Sequence, residues 1–209
     1  MIYKKLNNKC SKSVVENSEY LDKKLKDSKK ALLLHNVNIQ HNGEEITIDH
    51  VLISRMGVEI LKSKGFENQE IFIGGDNALI IDNGHYSNPL EKVEEEREIL
   101  ESFLREKLPS TSNNLWFMEK KIEVKATVIF SPNSHIVNEK LPDGFDRVES
   151  YLSNREKRIA KVGNVKAFKV LANMLNAKTI KEIASLLSNN AKDNQYSNEN
   201  IESEELIAS

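Results

Sequence analysis

An aspartate and two lysines stand out in the stretch ITIDHVLISRMGVEILKSKGF, residues 46–66. Asp49 sits inside one apolar, β-branched run. Lys62 and Lys64 sit two residues apart at the end of the next. A strand alternates its side chains between two faces, so residues two apart point the same way. If the runs pair as a hairpin about the turn RMG, one carboxylate and two ammonium groups converge on one face. Glu59 lies an odd number of residues from Lys62 and is expected on the opposite face. Three readings are open: a catalytic site, the remains of one, or a solvated sheet edge, which lysines often line.

The flanking elements set the frame for that face. VVENSEYLDKKLKD (14–27) has helical spacing, with Val14, Val15, Tyr20, Leu21 and Leu25 as its apolar stripe. ALLLHNVNIQ (31–40) reads as a strand closed by the turn HNGEE. EIFIGGDNALIIDN (70–83) reads as a second hairpin, its turn built on Gly74, Gly75, Asp76 and Asn77. NPLEKVEEEREILESFLREKL (88–108) is a helix, with Asn88 as N-cap, Pro89 in the first position and Glu91 completing a capping box. Leu90, Val93, Leu100, Phe103 and Leu104 form its buried stripe. Glu94, Glu95, Glu96, Glu98 and Glu101 are expected to face solvent, with Glu101 paired to Arg105. IEVKATVIFSP (122–132) is a further strand. FDRVESYLSNREKRI, NVKAFKVLANMLN and TIKEIASLLS read as helices, the last with Thr179 and Glu182 placed as a capping box. The pattern predicts an α/β fold with a mixed central sheet flanked by helices, because the middle connections are too short for parallel crossovers.

Composition narrows the classes. Residues 1–30 carry nine lysines against four acids and form a basic helical segment packed on the core. Residues 31–188 hold the core and its C-terminal helices, and 189–209 read as an acidic, disordered tail. No apolar run reaches membrane-spanning length, the start lacks a signal-peptide core, and the single cysteine, Cys10, reads as a surface thiol. The expectation is a cytoplasmic protein without a membrane partner. His50 points away from Asp49 and reads as a packing residue. His35, His41, His85 and His135 show no zinc spacing, and Trp116 and Phe117 read as loop anchors on the core.

The order of these elements carries a resemblance. An IDHVLIS strand, a GV turn, a second strand running to a terminal lysine, NPL opening a helix and VIFS in a later strand together resemble the nuclease-related domain family, over roughly residues 15–135. That family is related to the PD-(D/E)xK, restriction-endonuclease-like phosphodiesterases. The resemblance implies a restriction-endonuclease-like core, a DNA or RNA substrate, and Mg²⁺ or Mn²⁺ held by oxygen ligands. Asp49 takes the metal-binding aspartate position and Lys64 the lysine that orients water or phosphate. The acid position falls on Lys62, where an ammonium would pair with Asp49 and repel the metal. Glu67 and Glu70 lie beyond Gly65 and would need an irregular turn to return. Glu16 and Glu19 are both candidates for the glutamate that the family places on its first helix. The reading is therefore a nuclease impaired at position 62, either a natural degenerate copy or an active enzyme carrying an inactivating change. The alternative is a non-catalytic module that binds nucleic acid, or binds a protein through the acidic helix or the tail.

Overall fold

The computed structural model describes residues 11–26, 28, 31–66, 68–82, 84–108, 122–160 and 174–189. Cys10, Trp116, Phe117, Glu67, nearly all of the expected 164–176 helix and all but the first residue of the 189–209 tail lie outside them.

Helix α1 (Lys12–Leu25) leads into a meander of β1 (Ala31–His41), β2 (Glu44–Ser54) and β3 (Gly57–Lys64). Then come β4 (Glu70–Ile73), β5 (Leu79–Ile81), β6 (Gly84–Tyr86) and helix α2 (Pro89–Lys107). Strands β7 (Val124–Phe130), β8 (His135–Ile136) and β9 (Phe145–Arg147) follow, then helices α3 (Val148–Ala160) and α4 (Ala177–Ser188). The main sheet runs β1-β2-β3-β7-β9, antiparallel through β3 and parallel beyond it. A smaller sheet runs β6-β5-β4-β8. The fold is mixed α/β, a nuclease-like core.

Local chemistry explains the meander. Asn42 and Gly43 both have positive φ, 51° and 83°, and form the two-residue loop between His41 and Glu44. That pair of conformations matches the right-handed twist of a hairpin. Gly57, at φ 110°, lets Val58 N–H reach Glu123 O at 3.0 Å, where a Cβ would meet that same oxygen at 2.6 Å.

The sheet has a helical layer on each face. Val51, Ile53, Val58, Ile60, Val128 and Phe130 pack with Val93, Leu100 and Leu104 of α2 and Ile183 and Leu187 of α4. Leu52, Leu61 and Ile129 turn the other way, onto Leu21 of α1 and Tyr151 of α3. Two expectations are corrected here. Phe145–Arg147 is a strand beside β7 rather than the start of a helix, and Asp146 Oδ1 accepts from Arg147 N–H and Ser150 Oγ–H where α3 begins. Helix α4 is capped by Asn176, which accepts from Thr179 N–H at 2.8 Å, so Thr179 lies inside the first turn.

Candidate active site

The β2–β3 ladder pairs Ser54 with Gly57 through to His50 with Leu61, and there it stops. Beyond that point β2 continues with β1 and β3 continues with β7, so the two strands splay. Asp49 is the first residue in the gap. Its Oδ2 accepts the backbone N–H of Ser63 at 2.9 Å, a donor the broken ladder leaves over. The strand on its other side is irregular too. Asn36 takes positive φ (52°) and drops out of the pairing opposite Asp49.

Alternation brings Lys62 and Lys64 onto the face of Asp49. Lys62 Nζ lies 3.2 Å from Asp49 Oδ1 and 3.0 Å from Glu96 Oε1 on α2. The sequence expectation for Glu96 is overturned, since it is only 3% exposed and points inward. Its helical position gives the signal. It lies three residues after Val93 and four before Leu100, inside the apolar stripe, unlike exposed Glu94, Glu95 and Glu98. Glu101 does reach Arg105, as expected, and Arg97 as well.

The electrostatics follow from this packing. Burial alone would pull the Lys62 pKa down, but the carboxylates of Asp49 and Glu96 outweigh it and hold the ammonium above the ordinary lysine value. Burial raises the Glu96 carboxyl despite Lys62, and its Oε2 is buried with no hydrogen-bond partner. Burial, and then the neighbouring Lys62 charge, lower Lys64.

The opposite face of the same strands holds a chain of hydrogen bonds. Ser63 Oγ lies 2.6 Å from His50 Nε2, His50 Nδ1 lies 2.7 Å from His35 Nδ1, and His35 Nε2 lies 3.0 Å from Asp22 Oδ1. The Asp22 carboxylate only accepts, so His35 Nε2–H donates to it. Asn17 Nδ2 of α1 closes the chain on Ser63 Oγ at 2.9 Å. His50 is fully buried, and burial, the His35 ring and Lys62 hold its pKa well below the ordinary value. Glu59 also lies on this face, as expected, accepting from Arg155 Nε–H at 2.9 Å and Thr127 Oγ1–H at 3.2 Å. Of the two α1 glutamates, Glu16 meets Lys12 at 3.8 Å and Asn133 at 3.4 Å, and Glu19 is exposed. Neither touches Lys62.

A mixed α/β core that places an aspartate, a lysine pair and a helix glutamate where two strands part is a nuclease-like domain. The sequence model of the nuclease-related domain matches residues 15–131, and the chain belongs to that family. No curated protein and no solved structure gives a match. The divalent metal that such a fold implies does not fit the donors as they stand. The Lys62 ammonium lies between the two carboxylates, and among the described residues no group of three or more His, Cys, Asp or Glu side chains is placed to hold a metal ion. Among those residues, too, no helix is long and apolar enough to cross a membrane.

Proposed function

We propose that this chain is a nucleic-acid-binding member of the nuclease-related family whose metal-dependent cleavage is silenced by Lys62. The observation that supports this reading is the ammonium of Lys62, held at 3.2 Å by Asp49 and 3.0 Å by Glu96. A divalent ion serves such chemistry by neutralising phosphoryl oxygens and lowering the pKa of a bound water. Lys62 satisfies the carboxylates with a single charge on a tethered group and offers no position for that water. Its pKa is raised, so it stays protonated at neutral pH and is no general base. Lys64 remains on the same face to meet a phosphate. The rival protein-docking reading draws less support, because Glu94, Glu98 and Glu101 on the acidic helix are engaged by Arg97.

The test compares wild type with Lys62→Glu, which would set three carboxylates, Asp49, Glu96 and the new one, beside Lys64. Calorimetric titration with Mg²⁺ and Mn²⁺ should show weak binding by wild type and tighter binding by the variant. The variant's thermal midpoint should fall in chelator and recover with Mn²⁺. Nicking of plasmid, or cleavage of single-stranded DNA or RNA, should appear in the variant and vanish with chelator or with added Asp49→Ala. Glu96→Gln in that background should weaken metal binding, whereas Glu59→Gln, on the far face, should not. A Lys62→Glu protein that gains neither metal binding nor cleavage would sink the silenced-nuclease reading.

A further inference from the structure

The site does not end at Lys64. The alternation that aligns Lys62 and Lys64 carries on to Phe66, about 6.6 Å further along an extended chain, and the Phe66 side chain packs on the α2 side of the sheet. Against Phe66 leans Tyr86 of β6, with ring centroids 6.2 Å apart and planes at 44°. Tyr86 is 51% exposed. Its ring lies close over Gly84, where an added Cβ would come within 3.2 Å of Tyr86 Cε2. An aromatic ring is thus propped on two sides and open on another.

From the first turn of α2, Lys92 comes near enough for its charge to act on both Lys64 and Glu96. Lys64 is half-buried and Lys92 exposed, and neither ammonium group has a hydrogen bond or ion pair among the described residues. Lys62 is held by Asp49 and Glu96, so the half-buried Lys64 ammonium beside it has no ion pair of its own among the described residues. A partly buried cation without a counterion favours an incoming anion, since desolvation strengthens that attraction.

We propose that Lys64 and Lys92 take a phosphate of a single-stranded nucleic acid, and that Tyr86, propped on Phe66, stacks a neighbouring base. The proposal rests on the nucleic-acid reading above and specifies the form of its ligand. Duplex bases present their edges in the grooves, whereas stacking on a side-chain ring needs a base freed from its neighbours. Lys62 is held by its two carboxylates, so binding here needs no metal.

The experiment uses the full chain in chelator, with fluorescein-labelled oligothymidylate and a duplex of the same length as probes for fluorescence anisotropy. The single strand should bind about tenfold more tightly than the duplex, and Tyr86→Ala should weaken single-strand binding by about tenfold. Tyr86→Phe should restore it. Lys92→Ala should weaken it too and reduce the slope of log K against log salt by about 0.7. Photocrosslinking of wild type to an iodouracil-substituted strand, mapped by mass spectrometry, should label Tyr86 and tests the site even if Tyr86→Ala folds poorly. If single strands bind but Tyr86→Ala binds equally well, or the crosslink maps elsewhere, the stacking site is overturned and the nucleic-acid reading stands. Preference for duplex overturns the site in the same way. Wild type that binds neither probe overturns both.

Discussion

The two faces of β3 bury polar groups of different kinds. On the α1 and α3 side, Ser63 and Glu59 join His50, His35, Asn17 and Arg155 in networks that pair Glu59 with Arg155 and hold the buried His50 neutral. The buried atom left without a hydrogen-bond partner there among the described residues, Asn17 Oδ1, carries no formal charge. On the α2 side, among the described residues, the unmet groups include two charged ones, the Lys64 ammonium and one oxygen of the Glu96 carboxylate, besides the neutral Ser188 Oγ of α4. A neutral orphan costs about 1–3 kcal/mol, and a charged one costs more. One strand therefore uses one face to hold the sheet to its helices and leaves charge unmet on the other. A strand's two-residue period makes that division possible within eight residues.

The comparison breaks most severely if Lys62 is removed. Lys62→Ala should destabilise the protein by about 3 kcal/mol in denaturant unfolding at neutral pH, because Asp49 and Glu96 would then face each other unpaired. The cost should shrink as pH falls through the acid range, because Glu96, already raised by burial, takes up a proton more readily than an ordinary carboxylate instead of staying charged. Lys62 itself has a raised folded pKa, so its stabilising contribution is fully present below about 10.4 and is lost only as pH rises through the folded value. An unchanged unfolding midpoint at neutral pH would mean that the ammonium is not the cation that balances this site.

The contrast between the faces was only half readable in the sequence. The hairpin was, because Asn42-Gly43 encodes the turn and apolar alternation sets which residues share a face. Asp49, Lys62 and Lys64 accordingly converge. Glu96 was hidden by its neighbours. In a run of glutamates, composition argues for solvent, and only the spacing from Val93 and Leu100 marks it as inward. The histidine chain was beyond local reasoning, since it joins α1, β1, β2 and β3 across up to 46 positions. Short strands such as β9 carry too few residues for a period to show, and their pairing with distant β7 decides them.

A second prediction tests the closed face. His50→Leu leaves Ser63 Oγ and His35 Nδ1 short of a partner and should cost about 2 kcal/mol at pH 7.5. The pH dependence gives the sharper reading. The folded pKa of His50 is lowered, so as pH falls below about 6.5 the unfolded chain takes a proton that the buried ring refuses. Wild type should therefore lose stability between pH 7 and 5, whereas His50→Leu lacks that component and the gap between them should narrow. Denaturant midpoints across that range, with a gap that stays constant, would show that His50 is not the buried neutral group described.

The smallest effect separates scaffold from site. Asn88 Oδ1 accepts Leu90 N–H at 2.9 Å and opens α2, with Pro89 in the first turn. That helix carries both Glu96 and Lys92, so its start fixes where the α2 side of the site sits. Asn88→Ala removes one capping bond and should cost about 1 kcal/mol. Burial of Val93, Leu100, Phe103 and Leu104 holds the rest of the helix in place, so fraying should stay within the first turn. Lys92 lies in or just beyond that turn and Glu96 lies a full turn further in. Single-strand binding should weaken slightly through Lys92, by less than threefold on a cap-loss scale of about 1 kcal/mol. In the Lys62→Glu background, metal affinity, which depends on Glu96, should be unchanged. Equal losses in both would mean that α2 moves as a unit and that the buried stripe does not anchor Glu96. No loss of stability at all would mean that Pro89 alone sets the helix start.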